Sequence, residues 1–108
     1  MSTRLNAYAN KRDASERRHV ADKDHQFAIE ARRNRMTAEW AAPLLGLDTA
    51  AYVLEVIEAD LATPGDRDVV GKLLADFAAR GVAMSEEQLR EKMSEFESLA
   101  RRQDLEQP

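Results

Sequence analysis

Turn-forming residues are scarce in this chain, and their placement limits what it can fold into more than any other feature. Pro43 with Gly46, then Thr63–Pro64–Gly65, then Gly81 divide the sequence into segments whose apolar residues recur every three or four positions, the period of an amphipathic helix. The segment starts carry capping signals. Asp13 to Glu16 (DASE) pairs an N-cap carboxylate with a glutamate three positions on, which places a first helix start there. Its apolar positions form two adjoining stripes, Phe27, Ala31 and Ala38 beside Ile29, Met36, Trp40 and Leu44. Pro43 lacks an N–H and clashes with the preceding turn, so this helix should stop or kink near Ala42, with Gly46 turning the chain. Asp48 is the next N-cap, opening a helix to about Ala62 with Ala50, Val53, Leu54, Ile57 and Leu61 as its face. Asp66 starts a third, with Val69, Val70, Leu73, Leu74 and Phe77 inward and Gly81 as its stop. Ser85 with Gln88 is a second capping box, opening a fourth helix on Leu89, Met93, Phe96 and Ala100.

Connections of roughly two to five residues join antiparallel neighbours in a bundle. The expected fold is therefore all-α, a compact four-helix bundle over residues 13–102 with a flexible N-terminal arm at residues 1–20 and a disordered tail at 103–108. The ends carry too few large apolar groups to bury much surface alone: Leu5 and Tyr8 in the first twelve residues, one leucine in the last eight.

Charge and composition then narrow the function. Residues 1–40 carry a net charge of +3 and residues 41–108 a net charge of −7, within a total of −4. An acidic body with a basic front end argues against nucleic acid as the main partner, because neutralising phosphates needs a basic face on the folded part. The basic arm suits an acidic protein surface instead. There are no cysteines, which removes disulfides, thiolate metal sites and thiol nucleophiles. No apolar run approaches the roughly 18 residues of a membrane span, and the N-terminus has no signal-peptide core, so the expected location is cytoplasmic, without membrane insertion.

Nothing in the sequence supports catalysis or a metal. His19 and His25 are six apart, which puts them off the shared helical face that i, i+4 ligands occupy, and they read as solvated helix residues. The carboxylate pairs Glu55 with Glu58 and Glu91 with Glu95 have helical spacing that could hold a divalent ion, and an exposed acidic face explains them as well. No phosphate loop, nucleophile motif or zinc pattern is present. The candidate binding residues lie instead in two basic stretches. On a helix from Leu5 to Ser15, the side chains of Arg4, Leu5, Tyr8, Lys11 and Arg12 share one side, a small apolar anchor edged with positive charge. Further on, Arg32, Arg33 and Arg35 precede the single tryptophan. These three cannot all face a core, and they suit pairing with Glu55, Glu58 or Asp60 across a helix interface, docking to a partner, or contact with phosphate.

The ordered blocks FAIEARRNRMTAEWAAPLLGL, AYVLEVIEADLATPGDRDVVGKLLADF and GVAMSEEQLREKMSEF carry a resemblance covering about residues 12–100. The chain looks like the alphaproteobacterial zeta subunit, the ATPase-inhibitor family of F-type ATP synthases. That resemblance implies a four-helix fold and a non-catalytic protein, monomeric when free, that binds the catalytic head of the synthase at the cytoplasmic face of the membrane. It further implies that an N-terminal segment, here about Ser2 to Val20, enters the head and folds there as a wedge that stops rotation in the hydrolysis direction. On this pattern Leu5 and Tyr8 are apolar anchors, and Arg4, Lys11, Arg12, Arg17 and Arg18 meet acidic groups. The chain departs from the family pattern at His19 and His25, where an aromatic and an aliphatic residue are usual, and at Pro43. Two alternatives stand beside inhibition: an energy sensor binding adenine nucleotide through Arg32, Arg33 or Arg35, and a weakly inhibitory helical adaptor of the synthase. No other cofactor is expected.

Overall fold

The computed structural model describes the backbone of residues 2–62 and 66–106, and side chains over residues 23–62 and 68–104. Four helices follow one another: α1 (Ser2–Leu45), α2 (Thr49–Ala62), α3 (Asp66–Ala79) and α4 (Glu86–Glu106). Consecutive helices pack side by side and α4 returns to α1, so the four close into a ring with α1 and α3 on a diagonal. The molecule is elongated, 71 × 27 × 25 Å, because α1 is far longer than the rest.

α1 starts earlier than its capping box suggested. Helical backbone runs unbroken through Asp13 from Ser2, and no glycine or proline precedes residue 43 to interrupt it. It also ends later than Pro43 suggested. The helix continues through Pro43 to Leu45, where Gly46 takes φ +71° and the amides of Gly46 and Leu47 bond back to the carbonyls of Pro43 and Ala42. This is a Schellman ending, which satisfies the last carbonyls. Proline in the final turn forfeits a single amide bond, and buried Ala41, Ala42 and Leu45 hold that turn against the core. From the end of α3, Arg80 donates through Nε to the Leu45 carbonyl (2.8 Å) and through Nη2 to that of Gly46 (3.3 Å), adding a cation at the negative end of α1. Gly81 ends α3 with the same geometry, and Val82 bonds back to Phe77.

The other caps are as expected. Asp48 accepts the Ala51 amide (3.0 Å), and Ser85 and Gln88 bond reciprocally at 3.0 and 3.1 Å. The turn Thr63–Gly65 lies outside the described residues. α4 reaches Glu106, so helical backbone enters the stretch read from sequence as a tail.

The faces of α3 and α4 are those expected from periodicity; those of α1 and α2 are so only in part, with Ile29 and Ala38 buried and Trp40 and Val53 packed against the core. Val69, Val70, Leu73 and Phe77 of α3 and Leu89, Met93 and Ala100 of α4 are buried. On α2 the buried residues are Tyr52 and Val56, whereas Leu54, Ile57 and Leu61 of the expected face are exposed. This helix is apolar nearly all round, so its period fits two faces. What selects one is Tyr52, whose ring fills the core while its hydroxyl donates to Asp76 Oδ2 on α3 at 2.8 Å. On α1, Phe27 and Leu44 are exposed, and Ile29, Arg33, Asn34, Thr37, Ala38, Ala41, Ala42 and Leu45 are buried. The alanines let neighbouring backbones come close, and the polar members are satisfied internally; Thr37 Oγ1 donates to the Arg33 carbonyl at 2.7 Å. Trp40 is half-buried, tilted against Phe77 and Phe96 with centroids 6.0 and 6.3 Å away, as expected of a core residue.

Candidate functional site

Both basic stretches lie on α1. Arg4, Leu5, Tyr8, Lys11, Arg12, Arg17 and Arg18 belong to its first half, and their side chains lie outside the described residues, as does that of His19. At about 1.5 Å per residue, α1 from Ser2 to Leu45 is some 66 Å long, against about 32 Å for α4 and 21 Å each for α2 and α3. The stretch before His25 therefore runs on for roughly 35 Å past the point where α4 ends its approach. That point is marked by His25 itself, whose Nδ1 donates to Asp104 Oδ2 at 2.5 Å although its ring is largely exposed. The solvated-helix reading of His25 missed this partner, because it sits 79 residues away in sequence.

Successive helical residues point about 100° apart, so the three arginines separate rather than converge. Arg33 turns inward toward α4 and is 5% exposed. Its Nη1 donates to Glu97 Oε1 at 3.0 Å, while Nε and Nη2 donate to Asn34 Oδ1 at 3.2 and 3.1 Å. The pairing expected with α2 carboxylates is thus made with α4 instead, which is why Arg33 and Asn34 can be buried at all. Arg35 points to solvent and pairs with Glu39 on its own helix at 3.0 Å, an exposed i, i+4 contact worth under about 0.5 kcal/mol. Glu55, another expected partner, faces Lys72 of α3 at 3.8 Å.

Arg32 goes a third way, toward α2. It lines a cleft of about 340 Å³ with Ala31, Asn34, Arg35, Ile57, Asp60 and Leu61, and its Nη1 is buried without a hydrogen-bond acceptor among the described residues. A smaller cleft of about 160 Å³ opens between α1 and α4 beside the Arg33–Glu97 pair, against Arg90, Met93 and Ser94. The arginine cluster therefore divides by role: Arg33 is structural, Arg35 is solvated, and Arg32 lines a mostly apolar groove with its Nη1 buried beneath it.

One polar network went unnoticed in the sequence because it depends on tertiary pairing. Asp76 accepts from the Tyr52 hydroxyl and meets Lys72 Nζ at 3.1 Å. The Tyr52 hydroxyl is pushed far above its ordinary pKa, first by burial, then by its bond to Asp76, then by the negative charges of Asp76 and Glu55. It anchors α2 to α3 rather than performing proton transfer. Among the described residues no group of three His, Asp or Glu side chains is placed to hold a metal, and no helix is long and apolar enough to cross a membrane.

No curated protein matches the sequence. A family model described as ATPase inhibitor subunit zeta matches residues 5–103, nearly the whole chain, and spans both the first half of α1 and the four-helix body. With the blocks around Arg33–Asn34, Trp40 and Gly46 now accounted for as the bundle's seam, ring cluster and helix ending, the chain belongs to the ATPase inhibitor zeta-subunit family.

Proposed function

We propose that the first half of α1 is the inhibitory element, a wedge that enters the catalytic head of the F-type ATP synthase between the catalytic subunits and the central stalk. Family membership makes the chain a non-catalytic regulator of that synthase. The observation that carries it is the reach of α1, whose helical backbone extends roughly 35 Å past the body. Along it, Arg4, Leu5, Tyr8, Lys11 and Arg12 recur at i, i+1, i+4, i+7 and i+8, the spacing of one helical side. Leu5 and Tyr8 anchor in an apolar part of the head, while Arg4, Lys11, Arg12, Arg17 and Arg18 steer the arm to acidic surface and pair there. Blocking rotation is mechanical work that requires no chemistry from the inhibitor. The body stays outside and keeps the arm at high effective concentration.

The test is ATP hydrolysis by the isolated catalytic head. The full chain depresses the rate and a chain lacking its first nineteen residues does not. Equal inhibition by the truncated chain sinks the wedge.

A second reading, that the body senses adenine nucleotide, is supported by one observation: the α1–α2 cleft sets the Arg32 and Arg35 side chains beside an apolar wall of Ala31, Ile57 and Leu61. An amide chemical-shift titration with ATP and ADP tests it, and the absence of shifts around Arg32 and Ile57 at millimolar nucleotide removes it.

A further inference from the structure

We propose that His25 and Asp104 form a clasp at the root of the arm, a pair of positioning residues that hold the first half of α1 in line with the body for entry into the head. This role rests on the inhibitory reading above, since it is the arm that the pair aims.

The pair is the last rung of the α1–α4 seam. From the core outward, Arg33 bonds Glu97 at 3.0 Å, Ile29 and Ala100 are buried, and His25 Nδ1 donates to Asp104 Oδ2 at 2.5 Å. Successive rungs are four residues apart on α1 and three or four apart on α4, one turn of either helix, so the two helices run antiparallel in register. α4 ends at Glu106, about 3 Å beyond Asp104, whereas α1 continues for roughly 35 Å. His25 therefore marks the point where the support of α4 ends.

Asp104 is a costly residue where it stands. It lies in the last turn of α4, where the helix dipole disfavours negative charge, and its side chain is only 15% exposed. Arg101, one turn back on the same helix, has its Nη2 3.9 Å from Glu97, and the hydrogen bond that Asp104 accepts comes from the imidazole on α1. A carboxylate set against both the dipole and burial is explained by the tie it makes across 79 residues of sequence. The side chain of His25 is 60% exposed and adds little packing, so its contribution lies in the bond.

Position at the root gives this bond leverage. A bend of about 10° at His25 carries the tip of an arm roughly 35 Å long sideways by about 6 Å, close to one helical pitch. That is enough to take Leu5 and Tyr8 off an apolar pocket that fits them. Holding the root straight also removes arm orientations that entry into the head must otherwise restrict, which is preorganisation.

The experiment compares full-length chains by the concentration that half-inhibits ATP hydrolysis by the isolated catalytic head, with urea melts followed by Trp40 fluorescence establishing that each chain is folded. His25→Ala and Asp104→Ala are each expected to raise that concentration by about fivefold, the upper end for a partly exposed pair, and their combination to raise it no further. The exchanged pair, His25→Asp with Asp104→His, recovers most of the loss, which side chains that act only by filling space would not do. Arg90→Ala breaks an exposed pair with Glu86 at 3.3 Å near the start of α4 and leaves inhibition unchanged. Parental potency in both single variants overturns the clasp, and if deletion of the first nineteen residues still abolishes inhibition, the wedge survives that result. Losses that multiply in the double variant, or no recovery in the exchanged chain, show the two residues acting separately and overturn the clasp as well. A parent chain that does not inhibit, or one whose inhibition survives loss of the arm, overturns the wedge and the clasp together.

Discussion

If charge rather than packing holds Arg33 in the core, the costs of removing Arg33 and of removing its partner Glu97 should not add. Glu97→Gln leaves a guanidinium that is 6% exposed in its side chain facing a neutral amide. A hydrogen bond to a charged group contributes about 1.5–3 kcal/mol, and stranding a buried charge raises the loss toward about 3–5 kcal/mol. Asn34 Oδ1 remains at 3.2 and 3.1 Å and offsets part of this, so about 2–3 kcal/mol is expected. Arg33→Met keeps most of the volume and leaves Glu97, which is 33% exposed and has Arg101 Nη2 at 3.9 Å. That carboxylate can rehydrate, but Asn34, 3% exposed, loses both donors to its Oδ1, so the cost is again about 2–3 kcal/mol. The double variant should resemble Arg33→Met alone, giving a coupling of about 2 kcal/mol. For a domain of about a hundred residues, Glu97→Gln then lowers Tm by roughly 10–15 °C. Urea unfolding followed by Trp40 fluorescence reports on the bundle rather than on the first half of α1. The reasoning is refuted if the two single effects add to within about 0.5 kcal/mol in the double variant.

Three further outcomes are expected. Tyr52 has a raised folded pKa, so the stability it contributes is fully present below the ordinary tyrosine value near 10 and is lost as pH rises above it, because only the unfolded chain then releases the proton; in a Tyr8→Phe background, where Tyr52 is the sole tyrosine, phenolate absorbance should appear together with loss of helical circular dichroism, and ionisation near pH 10 in a folded chain would refute this. Tyr52→Phe at neutral pH should cost about 1 kcal/mol in urea melts by removing the bond to Asp76. Gly71→Ala, in the interior of α3 with open space at its Cβ, should stabilise by about 0.5–1 kcal/mol, whereas Gly46→Ala, at φ +71°, should destabilise by about 1 kcal/mol, and equal effects in thermal melts would contradict the helix-ending geometry.

Much of the architecture was legible in the chain, for local reasons. A cap is decided within four residues, so Asp48 and Ser85–Gln88 could be placed without knowing the fold. Asp13–Glu16 shows the limit of that rule: a capping box starts a helix only where something breaks the one before it, and nothing does between Ser2 and Pro43. The candidate site was legible as a cluster but not as a division of roles. Arg32, Arg33 and Arg35 look equivalent in sequence, and only their helical phase relative to α2 and α4 distinguishes an acceptor-free donor, a buried ion pair and a solvated cation.

By itself, then, the sequence determined the number of helices, the caps at Asp48 and Ser85, the glycine turns at Gly46 and Gly81, the inward faces of α3 and α4, and the family. All of these depend on backbone capping, amphipathic period or ordered blocks, which are local properties of the chain. The tertiary structure decided the rotation of α2, the burial of Arg33 and Asn34, the His25–Asp104 contact and the exposed α1–α2 face. An apolar helix such as α2 satisfies its period in more than one orientation. The choice between orientations is made by partners tens of residues away, Asp76 for Tyr52 and Glu97 for Arg33, because a buried polar group is stable only where an acceptor meets it.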